Sequence, residues 1–555
     1  MAPDRHLDPL AGPPARCRIK ILAQHRQGLA WHRRAGLCAK GSLFDAAGTF
    51  HRGAQLLDYF ASVAGADDLR DKLRAAKGCF AVILDTERQL LAVVDSVRSI
   101  PLFYACQAGG VVVGDDVYAI QQKLGGAAEI DPVAREEFLR VGYPVGPRTL
   151  DPRVGQIEAG EFYVWDKAAG RGRVQAYFRH AHGSDTGKSE AELLDELDEV
   201  TSRWARRLIA SVEGRTMAIA LSGGYDSRYV ACALKREGCA NVVCYSYGSP
   251  DSYEWQVARQ VAARLGYPIH IVDYGRKAWR ATLGAPWFVE FMRLAAQRCA
   301  IPCIQELPAC AQLQARQAIP ADAVMVPGYG GDLQAGNYLP AEILAGRSEA
   351  LLAEGIDRYL YRRLFTLVSA PIAPETKRAI LGRIHDDTAR FKSDDLPGFC
   401  SVYEDWWVRH RSARFIVNTV RTFEWFGHEW RLPLWDNELL EWWQRIPLEF
   451  RLNSALYRRF LFARLFGPLG VAFRKPDFVR LPTDQAQRWL PAAAIPALRW
   501  LYRRTLGHYL RARRDIDAFH DAARILLDQL PRKWSLYDFG NVNGAVGVWC
   551  DHYGL

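Results

Sequence analysis

The run TMAIALSGGYDSRYVACALKREG, residues 216–238, constrains the fold more than any other stretch. Its first six residues, mostly apolar, read as a short buried strand. Ser222-Gly223-Gly224 breaks the run, and apolar helical spacing resumes until Gly238, a natural stop. A strand passing through a glycine turn straight into a helix is a building unit of a parallel sheet. Gly223 and Gly224 let the backbone approach a ligand closely. Amides at the helix start, backed by the helix dipole, favour a phosphate, and Ser222 and Ser227 add hydroxyl donors. Asp226 would repel that phosphate unless a cation lay between them, so its presence implies Mg2+. A bare strand–helix turn would not need Ser, Gly, Gly, Asp and Ser in this order.

The alternation continues beyond residue 238. NVVCYSYG (241–248), YPIHIVDYG (267–275) and DAVMVPGYGGD (322–332) read as further strands, and Val257, Val261 and Leu265 mark a helix ending at Gly266. This pattern predicts a parallel sheet covered by helices. The loop VPGYGGDLQAG (326–336) again places an aspartate, Asp332, after glycines. Loops at the carboxyl ends of parallel strands converge on one crevice. Asp226 and Asp332 are therefore expected to share one Mg2+ on the pyrophosphate of ATP.

A chain of 555 residues is too long for one core. Residues 70–165 read as β-rich, with GCFAVILDTERQLLAVVDSVRSIPLFY (78–104) fitting a hairpin. RHAHGSDTGKSE (179–190) reads as a linker, and Ser189 with Glu192 forms a capping box for a helix whose Leu193, Leu197, Val200, Trp204 and Leu208 share one face. From about residue 340 the pattern is helical and rich in Trp. The net charge of +10 is spread without a dense basic tract, which points to a solvated surface and not to a nucleic-acid partner. No apolar run approaches the roughly 18 residues of a membrane span, and the amino terminus has no apolar signal core. The twelve cysteines contain no tight CxxC pair, so free thiols and a cytoplasmic location are expected.

SGGYDS resembles the pyrophosphatase-loop signature of the N-type ATP pyrophosphatases, and its surroundings resemble the asparagine synthetase B family. The resemblance runs from about Gly78 to about Lys475. It includes the GCFA strand before SIPLFY, the second loop GDLQAG, and RLPLWDNELLEWWQRIPLEFR (431–451) in place of the family's Arg-x-Pro-Phe-Leu-Asp helix. It implies an α/β protein of two domains. Residues 1–180 would be a degenerate, β-rich glutaminase-like domain of the Ntn type. Residues 189–555 would be a doubly wound, parallel-sheet ATP-pyrophosphatase domain, adenine nucleotide α-hydrolase-like, with a helical carboxyl-terminal region. Leu221 and Tyr247 would flank the adenine, Gly328 and Gly330 would approach the nucleotide, and Ser222, Gly223, Gly224, Asp226 and Ser227 would hold the pyrophosphate. The implied reaction adenylates a carboxylate, releases pyrophosphate, and lets an amine displace AMP.

Three departures refine these expectations. The family's glutaminase uses a Cys after the initiator Met, whereas this sequence reads Met1-Ala2-Pro3, and Cys17 lies further in. Glutaminase activity is accordingly expected to be absent, with nitrogen from ammonia, a separate glutaminase or the substrate's own amine. The family's Gly-Glu-Gly-x-Asp-Glu loop is here Gly328-Tyr329-Gly330-Gly331-Asp332-Leu333, which makes Tyr329 a candidate substrate contact. The family's catalytic Lys before a Tyr is replaced by Leu456 before Tyr457, leaving Arg458, Arg459 or Lys475 to supply positive charge.

IPCIQELPACAQLQ, VPGYGGDLQAG and RHRSARFIVNTVRTFEWFGHEWRLPLWDNEL are similar to a subgroup found in bacterial surface-polysaccharide loci. That implies a sugar-linked carboxylate as substrate. An intramolecular cyclase of the β-lactam synthetase or lasso-peptide type, a tRNA-modifying enzyme and a non-catalytic nucleotide-binding scaffold are the alternatives. Helical spacing assigns Trp406, Trp407, Trp425, Trp430, Trp435, Trp442 and Trp443 to the core before any sugar-stacking role. His270 reads as a hydrogen-bonded core residue, His428 as a surface pair with Glu424 or Glu429 before any acid–base role, and Glu254 as an acidic neighbour of the nucleotide.

Overall fold

The computed structural model describes residues 5–7, 18–25, 27–107, 110–183, 187–250, 252–389, 391, 393–474 and 517–555. Cys17 and Lys475 lie outside the described residues.

The amino-terminal half is a sandwich of two sheets. The larger runs Arg5–Leu7, Arg171–Ala176, Glu161–Asp166, Gln89–Val94, Lys77–Asp85, Leu37–Phe44 and His32–Arg34, all antiparallel, with Phe50–Arg52 also pairing to Leu37–Phe44. The smaller runs Gly155–Gln156, Phe103–Gln107, Gly110–Gly114 and Arg18–Leu22, the last pair parallel. Strand periodicity divides the large sheet between two cores. Ala81 and Ile83 face the smaller sheet, while Phe80, Val82 and Leu84 face the helices Ala54–Phe60 and Ala66–Ala75. The β-rich region is wider than residues 70–165. Leu37–Phe44 escapes a hydropathy reading because Lys40, Gly41 and Ser42 interrupt it, yet Lys40 is buried and donates to the His25 carbonyl at 3.3 Å.

The second half holds a four-stranded parallel sheet in the order Ile269–Asp273, Val242–Gly248, Met217–Ala220, Val324–Met325. Met217, Ile219, Val242 and Cys244 pack with the helices Glu190–Ser211, Tyr225–Arg236 and Tyr253–Leu265. Ala218, Val243 and Tyr245 face the other way, into a core that continues through Phe288–Ala296 and Leu307–Ala315 to the sandwich. Helices thus cover both faces, the doubly wound arrangement. The Ser189–Glu192 capping box is formed, and Gly266 ends its helix in the left-handed conformation. The strand expected over 322–332 is shorter, because the chain turns away at Pro327 to build a loop.

The remainder is helical. Leu396–Trp406 runs on through a π-helical stretch, Trp407–Ile416, before Val420–Trp425. Trp406, Trp407, Trp430, Trp435, Trp442 and Trp443 are buried, as their spacing predicts, and Trp425 packs against the core that holds the first four. The pair Phe519–Leu527 and Val542–His552 packs against Arg276–Leu283 and Pro132–Val141. Among the described residues, no helix is long and apolar enough to cross a membrane, and the cysteines are free thiols.

Candidate nucleotide site

At the carboxyl ends of the parallel strands lies a cleft of about 270 Å3, lined by Leu221, Ser222, Gly224, Tyr225, Asp226, Ser227, Ser246, Tyr247, Gly328, Tyr329 and Asp332, among others. Two loops that are about a hundred residues apart in sequence meet there because glycine lets them. A Cβ on Gly328 would lie 2.6 Å from the Ser227 nitrogen and 2.7 Å from its Cα. A Cβ on Gly331 would lie 2.8 Å from the Asp226 carboxyl carbon. Gly330 adopts φ +103 with its α-carbon against the Trp435 indole, so two reasons exclude a side chain there.

The first loop is held from behind. Arg228, fully buried, donates to the carbonyls of Gly223 at 2.8 Å and Gly224 at 3.2 Å, and also to those of Val471 and Phe473 at 3.1 and 2.7 Å. Peptide planarity then turns the Gly224 amide, which follows the Gly223 carbonyl, the other way. The Gly224 amide donates to Ser222 Oγ at 3.0 Å and the Gly223 amide to the Glu254 carboxylate, which confirms Glu254 as a neighbour of this loop. The Ser222 amide donates to Ser227 Oγ at 3.0 Å. Gly224 caps the Tyr225–Arg236 helix with no side-chain acceptor.

Asp226 joins the two loops. Its Oδ2 accepts from the Asp332 amide at 3.0 Å and its Oδ1 from the Tyr457 hydroxyl at 2.8 Å. Tyr457 is buried beside both aspartates, and burial followed by the charge of Asp226 pushes its ionisation well up, so it stays a donor.

The structure turns two of the three basic candidates, Arg458 and Arg459, away from the cleft. In the Ala455–Phe460 helix, Leu456, Tyr457 and Phe460 take the buried face, which turns Arg458 and Arg459 to solvent. Arg458 donates to the Asn453 carbonyl at 2.7 Å, and Arg459 pairs with Glu190 at 2.7 Å. The lining contains Asp226, Glu254, Glu306, Asp332 and Asp517 but, among the described residues, no Lys or Arg.

Sequence reasoning missed Glu306, Tyr457 and Asp517. Glu306 is 2% exposed and accepts from Tyr245 at 2.8 Å and from Tyr329. Burial raises its carboxyl above the usual range, partly offset by the hydroxyls of Tyr329, Tyr245 and Tyr247. His428, by contrast, is a packing residue, buried with Nδ1 3.2 Å from the Ala323 carbonyl. Glu158, Asp387 and His410 form a buried group of metal-type donors, but guanidinium groups fill it. Arg409 lies 2.9 Å from Asp387 and 3.3 Å from Glu158, and Arg414 lies 2.8 Å from Glu158. His410 is held neutral, its pKa lowered to about 4 by burial and then by Arg414.

A glutamine amidotransferase-type sandwich joined to an ATP-pyrophosphatase-like domain with a helical carboxyl-terminal region defines the class of this molecule. Within that class, residues 203–467 match the asparagine synthase family and residues 64–178 the glutamine amidotransferase domain. The two matches together support an asparagine synthase-family protein.

Among solved structures, the chain is similar to the glutamine phosphoribosylpyrophosphate amidotransferase of B. subtilis complexed with ADP and GMP. The identity is 11%, over 54% of this chain and 63% of that one, with a TM-score of 0.19. It is also similar to the NH3-dependent NAD synthetase of Campylobacter jejuni (13%, 38% of this chain, 99% of that one, TM-score 0.19). A third is the U34-tRNA thiolase NcsA of Methanococcus maripaludis (14%, 43% and 80%, TM-score 0.18). No curated protein matches the sequence.

Proposed function

We propose that this chain cleaves ATP between the α and β phosphates to adenylate a carboxylate, and that an amine then displaces AMP to leave an amide. The observation that carries the reading is the Asp226–Asp332 contact, where two glycine loops at strand ends close on one cleft. In this reading Ser222, Gly223, Gly224 and Ser227 cradle the pyrophosphate at the uncapped helix start, where the Gly223 amide exchanges the Glu254 carboxylate, and the Gly224 amide exchanges Ser222 Oγ, for phosphate oxygen. Leu221 and Tyr247 flank the adenine, and Gly328 and Gly330 let the second loop close over the nucleotide.

The acidic lining bears on the cation. Five carboxylates without a Lys or Arg among the described residues would repel a polyphosphate, and aspartate oxygens suit a hard divalent ion. Asp226 and Asp332 are the residues that would hold Mg2+. When bound, it would neutralise charge on the pyrophosphate. Tyr457 and the Asp332 amide keep the Asp226 carboxylate aimed into the cleft. Tyr329, backed by Glu306, faces the acyl side.

The acyl substrate in this proposal is a uronic acid of a surface polysaccharide, on the strength of the subgroup resemblance. Nitrogen comes from ammonia, a separate glutaminase or a substrate amine. The amidotransferase-type half, residues 1–180 in this reading, keeps water from the acyl-adenylate held by residues 189–555. ATP–pyrophosphate exchange, screened over uronic acids and peptides, tests the reading. AMP and pyrophosphate are the expected products, and ADP with free phosphate would refute it.

A further inference from the structure

The stretch RHAHGSDTGKSE has the composition of a linker, yet its first residues are seated in the core. His180 is buried, and the side chain of His182 is 4% exposed. The His182 amide donates to Ser401 Oγ at 2.9 Å and the Gly183 amide to the Gln444 carbonyl at 2.6 Å, which fixes the chain between the helices Leu396–Trp406 and Asn437–Arg445. Both imidazoles meet Glu404, His182 at 2.7 Å and His180 at 3.6 Å. Glu404 also accepts from Arg451 Nη2 at 2.7 Å and Nη1 at 2.9 Å. Burial would raise the Glu404 carboxyl, but Arg451 and then His182 hold it well below the usual range. Burial lowers the pKa of His182 itself. The neutral ring with its proton on Nε2 donates to Glu404 and accepts at Nδ1 from Arg451 Nη1, 2.8 Å away.

The remaining donors of Arg451 point to the second glycine loop. Nε and Nη2 donate to the Gln334 carbonyl at 3.1 and 2.6 Å. All five N–H groups of the guanidinium are thereby used, on one carboxylate, one imidazole and one carbonyl. Gln334 ends the short helix Gly331–Gln334, which carries Asp332. A carbonyl at a helix end has no partner within the helix, so an arginine there satisfies it. The backbones touch as well. Gly336 adopts φ +86, and a Cβ on it would lie 2.5 Å from the Arg451 carbonyl oxygen. At the other end of the same turn Gly330 lies against the Trp435 indole. Asp332 sits between these two grips, and its amide makes the 3.0 Å contact with Asp226. Arg451 does not line the cleft, so it can reach a ligand only through the loop.

We infer that Arg451 is a positioning residue of the nucleotide site: caged by Glu404 and the linker histidine His182, it fixes the turn that holds Asp332 in place for the Mg2+ of ATP. The inference rests on the proposed Asp226–Asp332 metal site. It gives the segment between the two halves a task beyond connection, because the segment supplies one wall of the cage that keeps Arg451 on the loop.

The test is a Mg2+ titration of ATP binding to the full chain by calorimetry, with adenosine, which carries no phosphate, as the control ligand. Two variants are compared with the natural chain. Arg451→Lys keeps a charge opposite Glu404, but a single ammonium cannot also supply the forked pair of donors to the Gln334 carbonyl. The double variant Arg451→Met with Glu404→Gln removes both buried charges together and so leaves no uncompensated ion. In each, the Mg2+ concentration for half-maximal ATP binding should rise about tenfold, the range of a hydrogen bond from a charged group, and adenosine should bind as before. In an Asp332→Asn background Arg451→Lys should add nothing further, because the loss passes through Asp332. A natural Mg2+ requirement in both variants would overturn the inference alone. So would an equal loss for adenosine, or the full loss repeated in the Asp332→Asn background. Loss of cooperative thermal unfolding in both variants would make Arg451 a folding residue and overturn it too. A natural chain whose ATP binding does not depend on Mg2+ would instead overturn the metal site of the proposed function.

Discussion

Gly328→Ala adds one methyl group at the point where the two loops touch. The new Cβ would lie 2.6 Å from the Ser227 nitrogen, against an ordinary contact distance of 3.4 Å or more. The obstacle is backbone on both sides, so no rotamer change relieves it, and the loops must part by about 0.8 Å. The Asp332 amide lies 3.0 Å from Asp226 Oδ2, so a displacement of that size breaks the bond. A bond to a carboxylate contributes about 1.5–3 kcal/mol. Misplacing a reacting group by about 1 Å costs on the order of a hundredfold in rate. The expected outcome is a fall of about a hundredfold in ATP–pyrophosphate exchange, with circular dichroism and cooperative unfolding retained. Gly330→Ala, which meets the Trp435 indole at 2.5 Å and carries a φ of +103, should lose at least as much. Near-natural exchange by Gly328→Ala would show that loop contact does not organise the site.

The other predictions concern charge. Asp226→Asn and Asp332→Asn should each abolish AMP formation without unfolding the chain, and near-natural turnover by either would refute a shared Mg2+ site. Tyr457→Phe frees Asp226 Oδ1 from its donor and should lower exchange about tenfold, a loss that is absent if the hydroxyl is only a packing partner. Glutamine should yield no glutamate, with or without ATP, since burial raises the thiols of Cys38, Cys79 and Cys106 in the sandwich; glutamate release by the purified chain would overturn this. Glu137 is buried, and its carboxyl is pushed up to about 7 from 4.5 by desolvation. A raised folded pKa gives stability that is complete below about 4.5 and lost by about 7, so its ionisation costs the fold on the order of 3 kcal/mol. Glu137→Gln should flatten this part of the pH–stability curve by denaturant titration, and an unchanged slope between pH 4.5 and 7 would refute the assignment.

What the sequence reveals here is what is local. Ser222 to Ser227 and Gly328 to Asp332 follow strands in chain order, so topology alone brings them to one crevice. Glu306, Tyr457 and Asp517 reach the cleft through tertiary packing, and nothing in their neighbourhoods announces it. Arg458 and Arg459 illustrate a different failure. Adjacency to a motif made them candidates, but helix phase decides, and Leu456, Tyr457 and Phe460 claim the buried face. The Leu37–Phe44 strand was illegible because its polar residues are buried with partners, which hydropathy counts as exposure. The π-helical stretch at Trp407–Ile416 adds residues to the turn without changing composition, and so leaves no periodic signature.

That stretch also explains how the two halves are held. It carries Arg409 and Arg414, both buried, and Glu158 of the sandwich sits between them at 3.3 and 2.8 Å. Arg409 is further paired with Asp405 at 2.6 Å and Asp387 at 2.9 Å, whereas among the described residues Arg414 pairs with Glu158. Removing one partner of a buried pair leaves an uncompensated charge and costs about 3–5 kcal/mol. Glu158→Ala should therefore destabilise the whole chain, while Asp405→Ala should leave Arg409 with two other carboxylates and cost less. The same asymmetry argues that residues 189–555 produced alone would expose Arg414 without its counter-ion and lose the wall that the sandwich gives the shared core. The amidotransferase-type half is thus bound into the architecture by charge as well as by apolar packing. Its retention in the fold has a physical cause that does not depend on glutamine chemistry.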